Sequence, residues 1–337
     1  MKKILSLFFV GLFLIGFSQK EEKQTDLEKD NLKGKVKSIT EAKYRPVEKF
    51  GEVQKGNLYE KYTFKYDYKG NKTEFADYNS DGSLEQKETW KYDDNGNKIE
   101  WAKYKSHGSI YWTDTSKYDK KGNKIECATY NSDGSLTRKD TYKYDEKGNQ
   151  IENVHYNTND SLINNTKHTY TYKYDNNGNK IERDNYDPDG SLVYKVTYKY
   201  DEKGNQIEYA GYYRSTLYIK VTWKYDEKGN KIEYAEYKSN GSLRLETWKY
   251  DEKGNKIEYG RSDLKGSLES KKVYKYDDNR NQIEDAWYNS DGSLRDKRTF
   301  KYEYDSKGNW TKRVSYLTQS EITKPYQIAE REIQYYD

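Results

Sequence analysis

At 337 residues, with a formal net charge of +4, 35% charged and only 32% apolar residues, the chain has too little aliphatic material for a thick core. Its 39 tyrosines supply buried surface instead, because each can bury a ring while its hydroxyl stays wet or hydrogen-bonded. Lysine and glutamate alternate locally, so no basic face or stripe forms and no nucleic-acid partner is expected, and the lone Cys127 excludes an internal disulfide.

In chain order, residues 1–18 carry Lys2 and Lys3, an apolar run from Ile4 to Phe17, and the small residues Gly16 and Ser18 before Gln19. That pattern is a signal-peptide helix, too short for a membrane span and followed by no second such run. The expectation is a secreted chain, periplasmic or extracellular, with no stable membrane span after cleavage. A lipid anchor would need a cysteine at the cleavage point, so a lipoprotein is not expected. Residues 19–34 are charged and without pattern, and read as a flexible linker. Residues 35–58 read as an N-terminal capping segment and 311–337 as C-terminal capping strands. Within these, Val36 to Tyr44 and Tyr326 to Tyr336 are the end strands that an array needs over its exposed edges. Left uncovered, such edges would allow edge-to-edge self-association.

Residues 59–310 are a tandem array. The string KYDxxGN places its tyrosine at Tyr66, Tyr92, Tyr118, Tyr144, Tyr174, Tyr200, Tyr225, Tyr250 and Tyr276, with a variant at Tyr304. The spacing is 25 or 26 residues except for 30 before Tyr174 and 28 before Tyr304, so insertions sit in loops. Each unit has two turn signals, the DEKGN type at Asp226 to Asn230 and the NSDGS type at Asn131 to Ser135, hence two strands per repeat. The repeat-defining positions are Tyr92, Asp93 and Gly96; Tyr144, Asp145 and Gly148; Tyr200, Asp201 and Gly204; and Tyr250, Asp251 and Gly254. Asp turns the chain through its side chain and Gly supplies the left-handed conformation. Arg280 replaces that glycine in one copy, which predicts strain or an altered turn at Asp277 to Asn281.

Between turns the pattern has period two, as in Arg138, Asp140, Tyr142 and Tyr144 on one side and Thr137, Lys139, Thr141 and Lys143 on the other. Pairing Tyr144 with Ile151 and Lys143 with Glu152 gives an aromatic face and a charged one. Cross-strand Lys–Glu pairs of roughly 0.2–1 kcal/mol each set register and solubility. The second strand carries Tyr104 on the face opposite Ile99, so both faces bear tyrosine. The fold class is therefore all-β, tandem two-stranded hairpins in a curled or spiralling antiparallel sheet. About 20 strands at about 4.8 Å would make an open sheet on the order of 95 Å long if flat, and twist curls it.

The repeated Tyr-Asp-x-x-Gly-Asn, with Tyr186-Asp187-Pro188-Asp189-Gly190 and then Tyr198-Lys199-Tyr200-Asp201-Glu202-Lys203-Gly204-Asn205, resembles the YD repeats of the Rhs family and of teneurins. The resemblance covers residues 59 to 310 and implies strips of hairpins that spiral, with an extracellular binding role. It also implies a shell around a C-terminal toxin in large members, whereas here only a short tail follows Trp310. A second likeness, in YNSDGSL at Tyr130 to Leu136 and Tyr288 to Leu294, is to the aromatic repeats of cell-wall-binding modules.

No unique catalytic constellation stands out, so no enzyme and no cofactor are expected. His107, His155 and His168 have no metal-ligand spacing and read as surface loop residues; the Asp-rich turns lack the twelfth-position Glu of a calcium loop, so no metal is expected either. Trp90, Trp223 and Trp248 precede KY where other copies have Tyr142 and Tyr198, the mark of interchangeable packing. The aromatics that break the repeat, Trp101, Trp112, Tyr213 and Trp287, are the better ligand candidates. The expected function is an exported, non-enzymatic binding module for a glycan or a cell-surface protein. The alternative is a structural accessory, or a relic of an Rhs-type toxin-delivery shell, with no small ligand.

Overall fold

The computed structural model describes residues 24–157, 166–187, 189–263 and 266–337. The expected signal peptide at 1–18 and the insertion at 158–165 lie outside the described residues. A single helical turn, α1 (Asp26–Lys29), precedes the strands β1 (Val36–Lys49), β2 (Glu52–Tyr66), β3 (Lys72–Tyr78), β4 (Leu84–Tyr92), β5 (Lys98–Tyr104), β6 (Ile110–Tyr118) and β7 (Lys124–Asn131). There follow β8 (Leu136–Tyr144), β9 (Gln150–Asn157), β10 (Thr166–Tyr174), β11 (Lys180–Tyr186), β12 (Leu192–Tyr200), β13 (Gln206–Tyr213), β14 (Thr216–Tyr225) and β15 (Lys231–Lys238). The last are β16 (Leu243–Tyr250), β17 (Lys256–Ser262), β18 (Leu268–Tyr276), β19 (Gln282–Asn289), β20 (Leu294–Tyr304), β21 (Trp310–Gln319) and β22 (Ile322–Tyr335).

Every strand pairs antiparallel with its sequence neighbours, and β22 pairs back onto β1, Ile39 opposite Ile333 and Glu41 opposite Arg331. The expected open ribbon is thus a closed ring. The end segments Val36–Tyr44 and Tyr326–Tyr336 are not caps over free edges but the two sides of one seam, and that pairing uses up both edges an open sheet would offer a second copy. Twenty-two strands at barrel-like tilt give a ring on the order of 40 Å across.

Each KYDxxGN turn is a five-residue hairpin loop. At Asp93–Asn97 the backbone N of Gly96 donates to Asp93 O (3.0 Å), the Asn97 N donates to Asp93 Oδ1 (2.7 Å), and Gly96 has φ 75. Asp145/Gly148, Asp201/Gly204 and Asp251/Gly254 repeat this geometry. Arg280 keeps the same turn instead of altering it, at φ 64 with its N donating to Asp277 O (3.0 Å). One register expectation is corrected: Lys143 does face Glu152, but Tyr144 pairs with Gln150, because a bulge takes up Ile151.

The two faces differ. One carries the charge lattice, in which a glutamate sits between lysines of both neighbouring strands, as in Lys117–Glu126–Lys139 (2.9 and 2.8 Å) and Lys199–Glu208–Lys220 (2.7 and 2.8 Å). Tyr104 lies on this face beneath Lys87. The other carries Phe64, Phe75, Trp90, Trp101, Tyr142, Tyr172, Tyr198, Tyr209, Trp223 and Tyr234, all aligned by cross-strand register.

Residues 24–34, expected as linker, decide which face is inside. Thr25 and Glu28 form a reciprocal capping box, and Leu27 is buried with Val36, Ile39 and Tyr66. Asp26 Oδ2 accepts from the Lys72 backbone N (2.9 Å) and Asp30 Oδ2 from Tyr66 Oη (2.9 Å), while Asn31 Nδ2 donates to Asn279 O (3.2 Å). The turns reached, before β3 and after β18, are six strand spacings apart along the wall, about 29 Å at about 4.8 Å each. The segment from Asp26 to Asn31 is partly helical at about 1.5 Å per residue and far shorter than that arc. It cuts across the mouth as a chord, so the aromatic face it touches is the inner wall and the Lys–Glu lattice is the outer one.

Candidate inner-wall binding site

Three repeated features build the inner wall. The KYD tyrosine closes the gap to the preceding strand: Tyr118 Oη donates to Lys98 O (2.8 Å), Tyr144 to Lys124 O (2.6 Å) and Tyr200 to Lys180 O (2.8 Å). The lysine at the start of the second strand turns inward over a ring, Lys231 Nζ lying 5.2 Å from the Trp223 centroid and Lys256 5.9 Å from Trp248. Burial holds the Lys231 ammonium below its usual pKa. The mid-strand position then carries an aromatic ring against the ring of the next strand, as in Tyr198–Tyr209 (5.8 Å, edge-on) and Trp223–Tyr234 (6.2 Å).

Register places all seven tryptophans on this one face: Trp90, Trp101, Trp112, Trp223, Trp248, Trp287 and Trp310. The four expected ligand residues share the wall but do not converge. Trp101 and Trp112 are neighbours on β5 and β6, edge-on at 4.6 Å, with Trp101 Nε1 donating to Glu88 Oε2 (3.0 Å). Trp287 on β19 lies between Lys272 (4.2 Å) and Arg295 (4.7 Å), and the exposed Tyr213 ends β13, six strands away.

A cluster that residue-by-residue reading missed lies between β8 and β11, where the repeat is irregular. Asp140, only 4% exposed, binds His155 Nδ1 through Oδ1 (2.8 Å) and Arg138 Nε through Oδ2 (2.8 Å). His155 is therefore an inner-wall residue, not a surface loop residue; His107 is exposed in its turn, and the His168 side chain lies outside the described residues. Asp140 and His155, with Asn153, Tyr170, Tyr172 and Arg183, line a cavity of about 260 Å³. Polar residues stand here where other repeats place rings: Asn153 faces Tyr142, and Arg183 faces Tyr172. The departure from the aromatic consensus at Asn153 and Arg183 was the available signal. Burial first, and the Arg183 charge second, hold Lys180 below its usual pKa, while burial pushes the Tyr172 phenol up to about 12. Cys127, opposite Asp140, is half-buried, and burial raises its thiol pKa.

No family model matches the chain, and no curated protein matches it. Among solved structures it is similar to the TcdB2-TccC3-TEV crystal structure (12% identity, TM-score 0.33, covering 86% of this chain and 19% of that one). It is similar also to the Photorhabdus luminescens Tc holotoxin pore (12%, TM-score 0.32, 82% and 19%). A porin-like protein from Bacteroides uniformis is similar at 11% identity and TM-score 0.24, covering 89% of this chain and 96% of that one. The chain thus spans about a fifth of the toxin chains it matches, and at these scores none of the likenesses carries a functional argument.

Proposed function

We propose that this chain is an exported, non-catalytic binding protein that holds an extended polar ligand, a carbohydrate, against the inner wall of its ring. The observation that carries this reading is the placement of all seven tryptophans on the inner face, half-buried and flanked by carboxylates, amides and cations. Rings that pack edge-on and stay partly open offer stacking surface to sugar rings, and the neighbouring Glu88 and Asn153 offer partners to hydroxyls. The outer wall supports a water-exposed ring. A lipid-facing barrel needs an apolar band about 25 Å tall, and here Lys91, Lys117, Lys143 and Lys199 project from the outer wall with side chains 65–68% exposed.

The nine KYD strings and the variant at Tyr304 further support a place among YD-repeat proteins, as a small ring made from that family's kind of hairpin. The test is titration of the mature chain with surface glycans and peptidoglycan fragments, followed by tryptophan fluorescence. A saturable change is expected, weakened about tenfold by Trp101→Ala or Trp112→Ala if a stacking contact of about 1.4 kcal/mol is lost. A flat response across the panel would overturn the carbohydrate reading in favour of a structural accessory.

A further inference from the structure

Arg183 stands apart from its counterparts on the inner wall. Arg138, Arg244, Arg298 and Arg331 are each held by a carboxylate: Asp140, Glu246, Asp285 and Glu41. Arg313 shares a buried Nε without an acceptor, but its terminal nitrogen donates to Gln327 and it lies over Trp310. Arg183 makes no hydrogen bond or ion pair among the described residues, and its Nε is fully buried without an acceptor. Asn185 Oδ1, two residues along the same face, is likewise buried without a donor. Lys180, at the start of the same strand, adds a second cation over the Tyr172 ring at 4.4 Å, and it too lacks a carboxylate partner among the described residues.

A guanidinium Nε buried without an acceptor costs stability, so its retention on a half-buried arginine beside an open cavity calls for a reason. The cavity supplies one, since its wall combines one unpaired fork of donors with groups suited to hydroxyls (Asp140, Asn153, His155) and two tyrosine rings, Tyr170 and Tyr172. At about 260 Å³ it is smaller than the roughly 300–1,000 Å³ of drug-sized sites and suits one monosaccharide unit. A planar guanidinium matches a carboxylate bidentately, a geometry that the point charge of Lys180 cannot offer.

We infer that the cavity between β8 and β11 is a specificity site for the carboxylate of an acidic sugar, bound by Arg183 and steered by Lys180. This rests on the carbohydrate reading above and names its ligand class. Elsewhere on the wall Arg138, Arg244, Arg298 and Arg331 are already held by carboxylates, whereas this cavity would select sugars bearing a uronic-type acid.

The experiment titrates the mature wild-type chain with oligogalacturonate and with the same oligomer methyl-esterified, by calorimetry and tryptophan fluorescence, at two salt concentrations. The acid is expected to bind at least tenfold tighter than its ester, with the advantage shrinking at high salt. Arg183→Met, checked by circular dichroism for an unchanged fold, is expected to bring the acid's affinity down to within about twofold of the ester's. Because the acid–ester comparison is made on the wild type, misfolding of the variant leaves the result standing. Equal binding of acid and ester would overturn this inference and leave the carbohydrate reading in place. Binding of neither would overturn both.

Discussion

The seam and the repeat wall are made from the same strand type but are held together differently. In the repeat wall the buried apolar residues are few and mostly small, such as Ala76, Ala102, Ala128, Ala210 and Ala235 with the valines Val154, Val196 and Val221, and the wall relies on the ladder, the tyrosine latch and the Lys–Glu lattice. At the seam β1 has 14 residues, β2 has 15 and β22 has 14, and the buried residues are larger: Leu27, Val36, Ile39, Tyr66 and Ile328. There Arg331 pairs with Glu41 (2.8 Å) and stacks on Trp310 at 3.5 Å from the ring centroid, its pKa lowered chiefly by burial. Repeats need contact only their neighbours, so each can be thin. Closure joins residues near opposite ends of the chain, and it needs a conventional core to offset the ordering it imposes.

The sharpest way to break this comparison is to truncate one isoleucine in each region. Ile39→Ala, at 2% exposure in the Leu27–Val36–Tyr66 cluster, is expected to cost about 2–5 kcal/mol in urea unfolding. Ile99→Ala, at 36% exposure in a bulge, should cost under about 1 kcal/mol. Equal losses would mean that the seam is no different from the wall.

The repeat wall was legible in the sequence because its period is written in each copy: two turns per unit, Lys143 opposite Glu152, and tyrosine on both faces follow from spacing and alternation. Closure was not legible. Nothing in Val36–Tyr44 or Tyr326–Tyr336 announces the other as partner, since their pairing depends on how far twist and bulges turn the sheet over the whole array. The bulge at Ile151 was missed for the same reason, because alternation fixes faces but not a one-residue shift beside a turn. The four aromatic candidates can be named from the sequence one by one, yet the Arg183 cavity emerges only when four strands are laid side by side.

Acid should separate the two regions next. Lys117 and Lys139 hold the Glu126 carboxyl below its usual pKa, and Lys199 and Lys220 do the same for Glu208. A depressed folded-state pKa gives stability that is present above the unfolded value, about 4.3 for Glu, and is lost as pH falls through the folded one. Unfolding free energy is therefore expected to be level from neutral pH to about 5 and to drop below about 4. Glu126→Gln should flatten part of that acid limb, while Ile39→Ala should lower the whole curve without changing its shape. A Glu126→Gln curve merely displaced downward would count against an electrostatic role for the lattice.

The smallest effect tests whether the wall's turns are independent. Arg280 sits at φ 64 in a position that Gly254 fills at φ 81 in the preceding copy, and a side chain there is strained by the backbone alone, since a Cβ on Gly254 would meet nothing within 4 Å. Arg280→Gly should therefore stabilise the ring by about 1 kcal/mol, and Gly254→Ala should destabilise it by a similar amount. If strain stays within its own hairpin, the double variant should return to within about 0.5 kcal/mol of the parent. A larger residual would show strain passing between these two adjacent turns, which Lys253 and Asp278 already link at 3.3 Å, and the wall would then be coupled hairpin to hairpin as well as by its ladder.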